Sequence, residues 1–349
     1  MKKRIIRTAA ALTGCILFAT GCIQRGALDT AGEAIRFSAE SSLLRDDATK
    51  GALKQGPLFA SGDQISVFGW HAGTQTLEFD DQLVTYNSGN WTYTPVQTWD
   101  WKGEEDFYDF LAVYPYQTTS PCPSAVLSPR FIVSQLYNVS DNYDLMMAGV
   151  HRAYNEDSRN RMVPFIFQHM CSAVRVVLSN DSKQTDFTLN AYRFKNIPSQ
   201  ATARVQINAD AADFGWTGAQ RAAGTELGGA SGINQALSHG STAPGYTSDF
   251  DLLIPMNLDE EVGTGTGNWP KLVLRYTKDG GAEDEVEVNL KDICRLGANQ
   301  EETQVPLLQW ERGVVYVYQI HLKLDGGIVV HVQMTDWEVV EAETPGLLI

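Results

Sequence analysis

Cys22 carries the most specific chemistry in the chain. It follows Phe18-Ala-Thr-Gly, small residues at the three positions before a cysteine, which is the spacing of a signal where the thiol takes a diacylglycerol before cleavage. Each buried methylene of an attached lipid contributes about 0.8 kcal/mol, so a multiply acylated Cys22 stays on a membrane until the chain itself is cut. Arg45 is the preferred place for that cut and Lys50 the alternative. Both lie in the linker Ser41 to Gly56, which is polar and poor in apolar residues and suits protease access. Arg45 as an ordinary solvated loop residue fits the sequence equally well.

Other reactive groups lack the spacing for catalysis. The six histidines, His71, His151, His169, His239, His321 and His331, form no HExxH or similar cluster. His321 and His331 are expected to face each other across the last hairpin as a cross-strand pair. Gly229-Ala-Ser231-Gly lacks the second glycine of a nucleophile elbow. Gly263-x-Gly265-x-Gly267 precedes Asn-Trp-Pro rather than a helix, so it is a loop. Glu104, Glu105 and Asp106 are expected as a charged strand edge. Beyond Cys15 and Cys22, three cysteines are left, Cys122, Cys171 and Cys294. They allow at most one bridge, and Cys171, in an apolar run, is expected as a small buried hydrophobe. No enzyme, metal or cofactor is expected.

The elements that must position these residues are strands. Residues 1–21 are a signal peptide: Lys2, Lys3, Arg4 and Arg7 precede an apolar stretch too short to span a bilayer. Without them, 23 basic residues stand against 42 acidic, a formal charge of −19. Such a chain is repelled by nucleic acid and anionic membranes. The remainder shows period-2 alternation with turn chemistry and no sustained helical period, an all-β pattern. Its length fits two domains of about 100 to 200 residues each.

Expected strands include Ala34–Ala39, Ile65–Trp70, Leu83–Tyr86, Trp91–Tyr93, Asp106–Tyr114 and Phe131–Leu136. Phe165–Leu178 is expected as one long central strand. Asn142–Gly149 is left open between a helical turn and a bridging strand. Thr118–Pro129 and the Gly, Ser and Ala-rich stretch Gly215–Ser248 are expected as loops. Asn87-Ser-Gly-Asn90, expected as four loop residues, Lys278-Asp-Gly-Gly281 and Asp325-Gly-Gly327 mark hairpins, the last joining Val314–Lys323 to Ile328–Trp337. The expected division is a lipidated segment with removable strand and linker over 22–56, an N-terminal sandwich over 57–182 and a C-terminal sandwich over 183–349.

Several blocks together carry a resemblance. They are the lipid-attachment signal, Phe59-xx-Gly62-Asp63-x-Ile-x-Val-Phe, Trp91-x-Tyr93, Ala112-x-Tyr114-Pro115, Asp144-Leu-Met-xx-Gly149, Phe165-x-Phe167-x-His169, Trp310-xx-Gly313-xx-Tyr316-x-Tyr318 and Trp337. Over nearly the whole chain they resemble the fimbrillin (Mfa-like) family, the type V pilins of Bacteroides-type bacteria. The resemblance implies two transthyretin-like β-sandwich domains, export as an outer-membrane lipoprotein and display in a cell-surface fimbria. It also implies removal of the first strand by an arginine-directed protease and its replacement by a donor strand from another pilin subunit.

For that mechanism, Ile35 and Phe37 are expected to face inward from the leaving strand. A strand of about ten residues burying some five side chains would contribute roughly 7 to 15 kcal/mol, comparable to the net stability of a domain, about 5 to 15 kcal/mol. Donor candidates are Trp337, Val339 and Val340 in the last strand region, and Leu347, Leu348 and Ile349 at the end. The same residues are equally compatible with capping their own core. The expected partners are other pilin subunits, the outer membrane through the lipid anchor, and a host or glycan receptor in adhesion. The alternatives are an anchor or tip subunit, or a glycan-binding lipoprotein in which Trp91, Tyr93, Trp99 and Trp101 form a stacking platform.

Overall fold

The computed structural model describes residues 33–41, 59–119, 122–127, 130–155, 162–208, 211–241, 244–263, 266–297, 299, 301–323 and 327–336. Among these, regular structure is twenty-four strands and two single 3-10 turns, Val139–Asp141 and Leu290–Asp292. The chain is all-β. No helix among the described residues is long and apolar enough to cross a membrane.

The first sheet has the order β1-β9-β8-β5-β2-β3-β4. Its members are β1 (Phe37–Ser41), β2 (Gln64–His71), β3 (Thr76–Asn87), β4 (Asn90–Thr92), β5 (Phe107–Tyr114), β8 (Met146–Ala153) and β9 (Val163–His169). Every pairing is antiparallel except that of β1 with β9. At the centre of this sheet both faces are buried, and alternate residues of β5 go to different cores, as the period of two requires. Tyr108, Phe110 and Ala112 of β5 enter a small aromatic core, whereas Leu111 and Val113 enter a large one.

The large core lies among three further sheets. One runs β15 (Tyr246–Thr247), β10 (Ser172–Asn180), β23 (Val314–Leu322), β24 (Ile328–Asp336), β20 (Cys294–Leu296), β21 (Glu302–Pro306), with β16 (Asp251–Leu253) also on β10. A second runs β14 (Glu226–Leu237), β11 (Phe187–Lys195), β18 (Lys271–Lys278), β19 (Glu283–Asn289), and a third β13 (Ala211–Arg221), β12 (Pro198–Asn208), β7 (Ile132–Asn138), β6 (Ser124–Val126). The short strands β17 (Met256–Asn257) and β22 (Gln309–Trp310) form a separate pair.

Several expectations are corrected. Phe165–Leu178 is two strands rather than one, because the chain breaks at Met170 and Cys171. Their buried side chains seat the crossing, with the Met170 N–H bonded to Leu145 O at 2.8 Å. Thus β9 joins the first sheet and β10 pairs in parallel with β23 of the second. The small-residue stretch Gly215–Ser248 is largely strand, since β13 and β14 take their hydrogen bonds from β12 and β11. Ser124–Val126 forms a short edge strand inside the proline-rich loop. Met146–Ala153 is a strand, which decides the open segment. The hairpin at Asn87 has a two-residue turn, Ser88 and Gly89 at φ 47° and 94°, with Asn87 paired to Asn90.

Candidate assembly groove

The segment Glu33–Ser41 lies in a groove on the aromatic side of the first sheet. Two walls hold its main chain. On one side β1 runs parallel to β9, Phe37 opposite Val163 through Ser41 opposite Phe167, and the Val163 N–H donates to Arg36 O at 2.8 Å. On the other, the Ile35 N–H donates to Gln97 O at 3.0 Å and the Trp99 N–H to Glu33 O at 3.0 Å. The Tyr93 hydroxyl adds a bond to Ile35 O at 2.7 Å.

Alternation sets which side chains enter. Ile35 and Phe37 are buried, Ala39 packs partly against the same core, and Arg36 and Glu40 face solvent. The Phe37 ring meets four aromatic rings: Phe165 stacked at 5.5 Å, Phe79 at 5.4 Å, Tyr93 at 5.5 Å and Phe110 at 5.9 Å. Among the described residues of this segment two side chains, Ile35 and Phe37, are fully buried, which corresponds to about 3 to 6 kcal/mol of apolar burial.

The chain returns to this core at Phe59. Its ring lies 5.6 Å from Phe167, 5.0 Å from Trp91 and 5.4 Å from Tyr114. Phe167 is also the residue opposite Ser41. Ser41 and Phe59 therefore stand beside the same residue. A fixed turn follows, with the Ala60 N–H on Asp63 Oδ2 and the Gly62 N–H on Tyr86 O at 2.8 Å.

The aromatic residues considered as a sugar platform form the groove's wall instead. Trp99 and Trp91 are buried, Tyr93 leans over Phe37, and the Trp99 and Trp101 rings stack on each other at 5.2 Å. Trp99 also packs edge-on against Tyr108. Trp91 and Trp99 are thus packed within the protein, and Tyr93 and Trp101 stay partly exposed.

Each histidine sits against its own carboxylate: His71 on Asp106 at 2.7 Å, His151 on Asp109 at 2.7 Å, His169 on Asp144 at 2.9 Å, His239 on Asp186 at 2.7 Å, His321 on Asp181 at 3.1 Å and His331 on Glu302 at 3.2 Å. Asp106 is thus a buried partner rather than part of a charged edge, while Glu104 and Glu105 are exposed. His321 stands opposite Val329, and His331 opposite Gln319, so the two are diagonal and not a direct pair. Ser179 joins His321 and Asp181, but its hydroxyl and the carboxylate both contact Nδ1. A catalytic triad needs the two on opposite ring nitrogens. Among the described residues no group of three or more ligating side chains could hold a metal ion. Cys122, Cys171 and Cys294 are free, and burial pushes the Cys171 thiol well up.

Of the sequence-selected residues, Ile35 and Phe37 come together in the groove. Cys22, Arg45, Lys50, Trp337, Val339, Val340, Leu347, Leu348 and Ile349 lie outside the described residues. Missed by sequence were Tyr93 and the 97–99 main chain. The Trp91-x-Tyr93 pattern marks an aromatic strand but not the contact it makes 58 residues away.

Two solved structures are similar to this chain. A fimbrial protein from Bacteroides vulgatus is similar at a TM-score of 0.54 and 14% identity, over 87% of this chain and 99% of that one. A fimbrilin from Porphyromonas gingivalis is similar at a TM-score of 0.42 and 9% identity, over 88% and 98%. No curated protein matches the sequence. The family model described as fimbrillin-like matches residues 48–337. The chain belongs to the fimbrillin-like family.

Proposed function

We propose that the protein is an exported lipoprotein that becomes a subunit of an adhesive surface fimbria when the segment Glu33–Ser41 is cut away and another subunit's strand takes its place. Cys22 holds the precursor to the outer membrane, and cleavage after Arg45, or after Lys50, releases it. The observation that carries this is the meeting of Ser41 and Phe59 at Phe167. A cut in residues 42–58 detaches β1 while leaving Phe59 as the first anchored residue of the body.

Loss of β1 would uncover Phe165, Phe79 and Phe110 and leave the Val163 N–H and Gln97 carbonyl without their strand partners. A groove of that kind binds an added strand through main-chain bonds and side-chain seats. The donor comes from the C-terminal region, Trp337 to Val340 or Leu347 to Ile349. The division into two sandwich domains of the transthyretin type belongs to the same proposal.

The test is the double variant Arg45→Ala/Lys50→Ala expressed in the native host. Full-length protein retained in the outer membrane, with no polymer in the sheared surface fraction, is the expected result. Normal polymer from the double variant would contradict cleavage at these residues.

A further inference from the structure

We infer that the groove selects its occupant by an aromatic side chain at the Phe37 position, and that Tyr93 is a positioning residue that fixes the occupant's main chain in register. The inference rests on the strand-replacement proposal and deepens it. The partner it defines is a strand of another fimbrial subunit that runs parallel to β9 and places an aromatic residue in the seat; of the two C-terminal donor candidates, Trp337 to Val340 supplies one and Leu347 to Ile349 does not.

The seat at Phe37 is built from rings on four separate elements: Phe79 on β3, Phe110 on β5, Phe165 on β9 and Tyr93 just beyond β4. Phe165 offers its face to the Phe37 ring at an interplanar angle of 18°, while Phe79 and Phe110 meet it edge-on at 76° and 77°. Stacked and edge-to-face pairs gain from ring quadrupoles beyond area burial, a gain an aliphatic side chain of similar volume forgoes. The walls are themselves held, since Phe79 and Phe110 pack edge-on to each other at 5.9 Å and Trp99 packs against Phe110 at 5.9 Å. Gly69, between them, has no room for a Cβ, which would stand 2.6 Å from Phe79 Cδ2 and 3.1 Å from Phe110 Cε1. The seat therefore has a fixed shape, which is what discrimination between side chains of similar volume needs.

Register comes from a different contact. The Tyr93 hydroxyl bonds the Ile35 carbonyl, two residues before the seat, at 2.7 Å. It binds main chain, so the bond itself makes no demand on the side chain there, and once an aromatic ring fills the seat it holds the carbonyl two residues earlier in place. Ring and hydroxyl of Tyr93 thus divide the work: the ring belongs to the seat and the hydroxyl to the register.

The test uses the full chain with a site for a sequence-specific protease inserted within residues 42–58, nicked but not otherwise shortened. Fluorescent peptides spanning residues 33–41 compete for the groove in mild urea. The expected result is that the native peptide exchanges in, that its Phe37→Leu form competes about tenfold less well, and that its Phe37→Ala form competes far less well than either. Tyr93→Phe protein is expected to bind every peptide about three- to tenfold more weakly while keeping the ratio between the Phe and Leu peptides. Equal competition by the Phe and Leu peptides would overturn the aromatic seat alone. Unchanged affinity in Tyr93→Phe protein would overturn the register role. Failure of the native peptide to exchange would overturn strand replacement and this inference together.

Discussion

Phe37 stacks on Phe165 with ring centroids 5.5 Å apart and planes 18° from parallel, joining the first described strand to the end of the first sheet. Truncation there leaves a cavity walled by aromatic rings that cannot collapse. In the intact chain Phe37→Ala is expected to cost about 3 to 5 kcal/mol. Arg36→Ala, whose side chain faces solvent, is expected to stay within about 0.5 kcal/mol. Urea unfolding followed by tryptophan fluorescence checks both. Equal, small effects would mean that β1 rests on the core without supporting it.

Asp106 contributes stability that is lost in acid. Burial pushes its carboxyl up, but the His71 ring, the Lys102 N–H and the Phe107 N–H more than offset this and hold it below the usual carboxylate range. A depressed folded-state value stabilises the fold above the unfolded value, near about 4. That stabilisation is lost as pH falls through the lower folded value. Asp106→Asn is therefore expected to lower the urea midpoint at pH 7 and to flatten its fall between pH 4 and pH 2. An unchanged acid limb would show that other carboxylates dominate it.

Asp251 acts in the opposite sense. Burial among Tyr192, Gly229 and Leu253 pushes its carboxyl up to about 6, although the Gly229 N–H at 2.6 Å and the Tyr192 hydroxyl at 3.0 Å bond it. A raised folded-state value means that ionisation is disfavoured in the fold. This group's contribution declines as pH rises from about 4 to above 6, by on the order of 2 to 3 kcal/mol. Asp251→Asn is expected to remove that decline, so the variant gains on the native protein between pH 4 and pH 7. Parallel pH profiles for the two proteins would contradict the assignment.

Much of the first sheet is legible in sequence because its turns are chemically marked and its residues alternate. Asn87-Ser-Gly-Asn90 declares its hairpin, and Ile35 and Phe37 stand two apart in a polar segment. The break at Met170 is not legible, since Phe165–Leu178 holds no glycine, proline or turn pair, and its polar residues Gln168, His169, Ser172 and Arg175 are scattered without marking an interruption. β13 and β14 escape notice because glycine and alanine carry little pattern and the strands owe their form to hydrogen bonds with distant neighbours. The groove's second wall was hidden for a related reason. Trp91, Tyr93, Trp99 and Trp101 suit a sugar platform or a core equally well by composition, and only the long-range register places Tyr93 over Ile35. Asp106 reads as one acid among three until the fold brings His71 to it.

The central claim is that the chain is cut between Ser41 and Phe59 on its way into the fimbria. Intact mass and N-terminal sequencing of protein from the outer membrane and from sheared surface polymer test it most directly. The expected result is lipidated Cys22 in the membrane fraction and a new terminus immediately after Arg45, or after Lys50, in the polymer. Lipidated Cys22 at the start of every molecule in both fractions would contradict it.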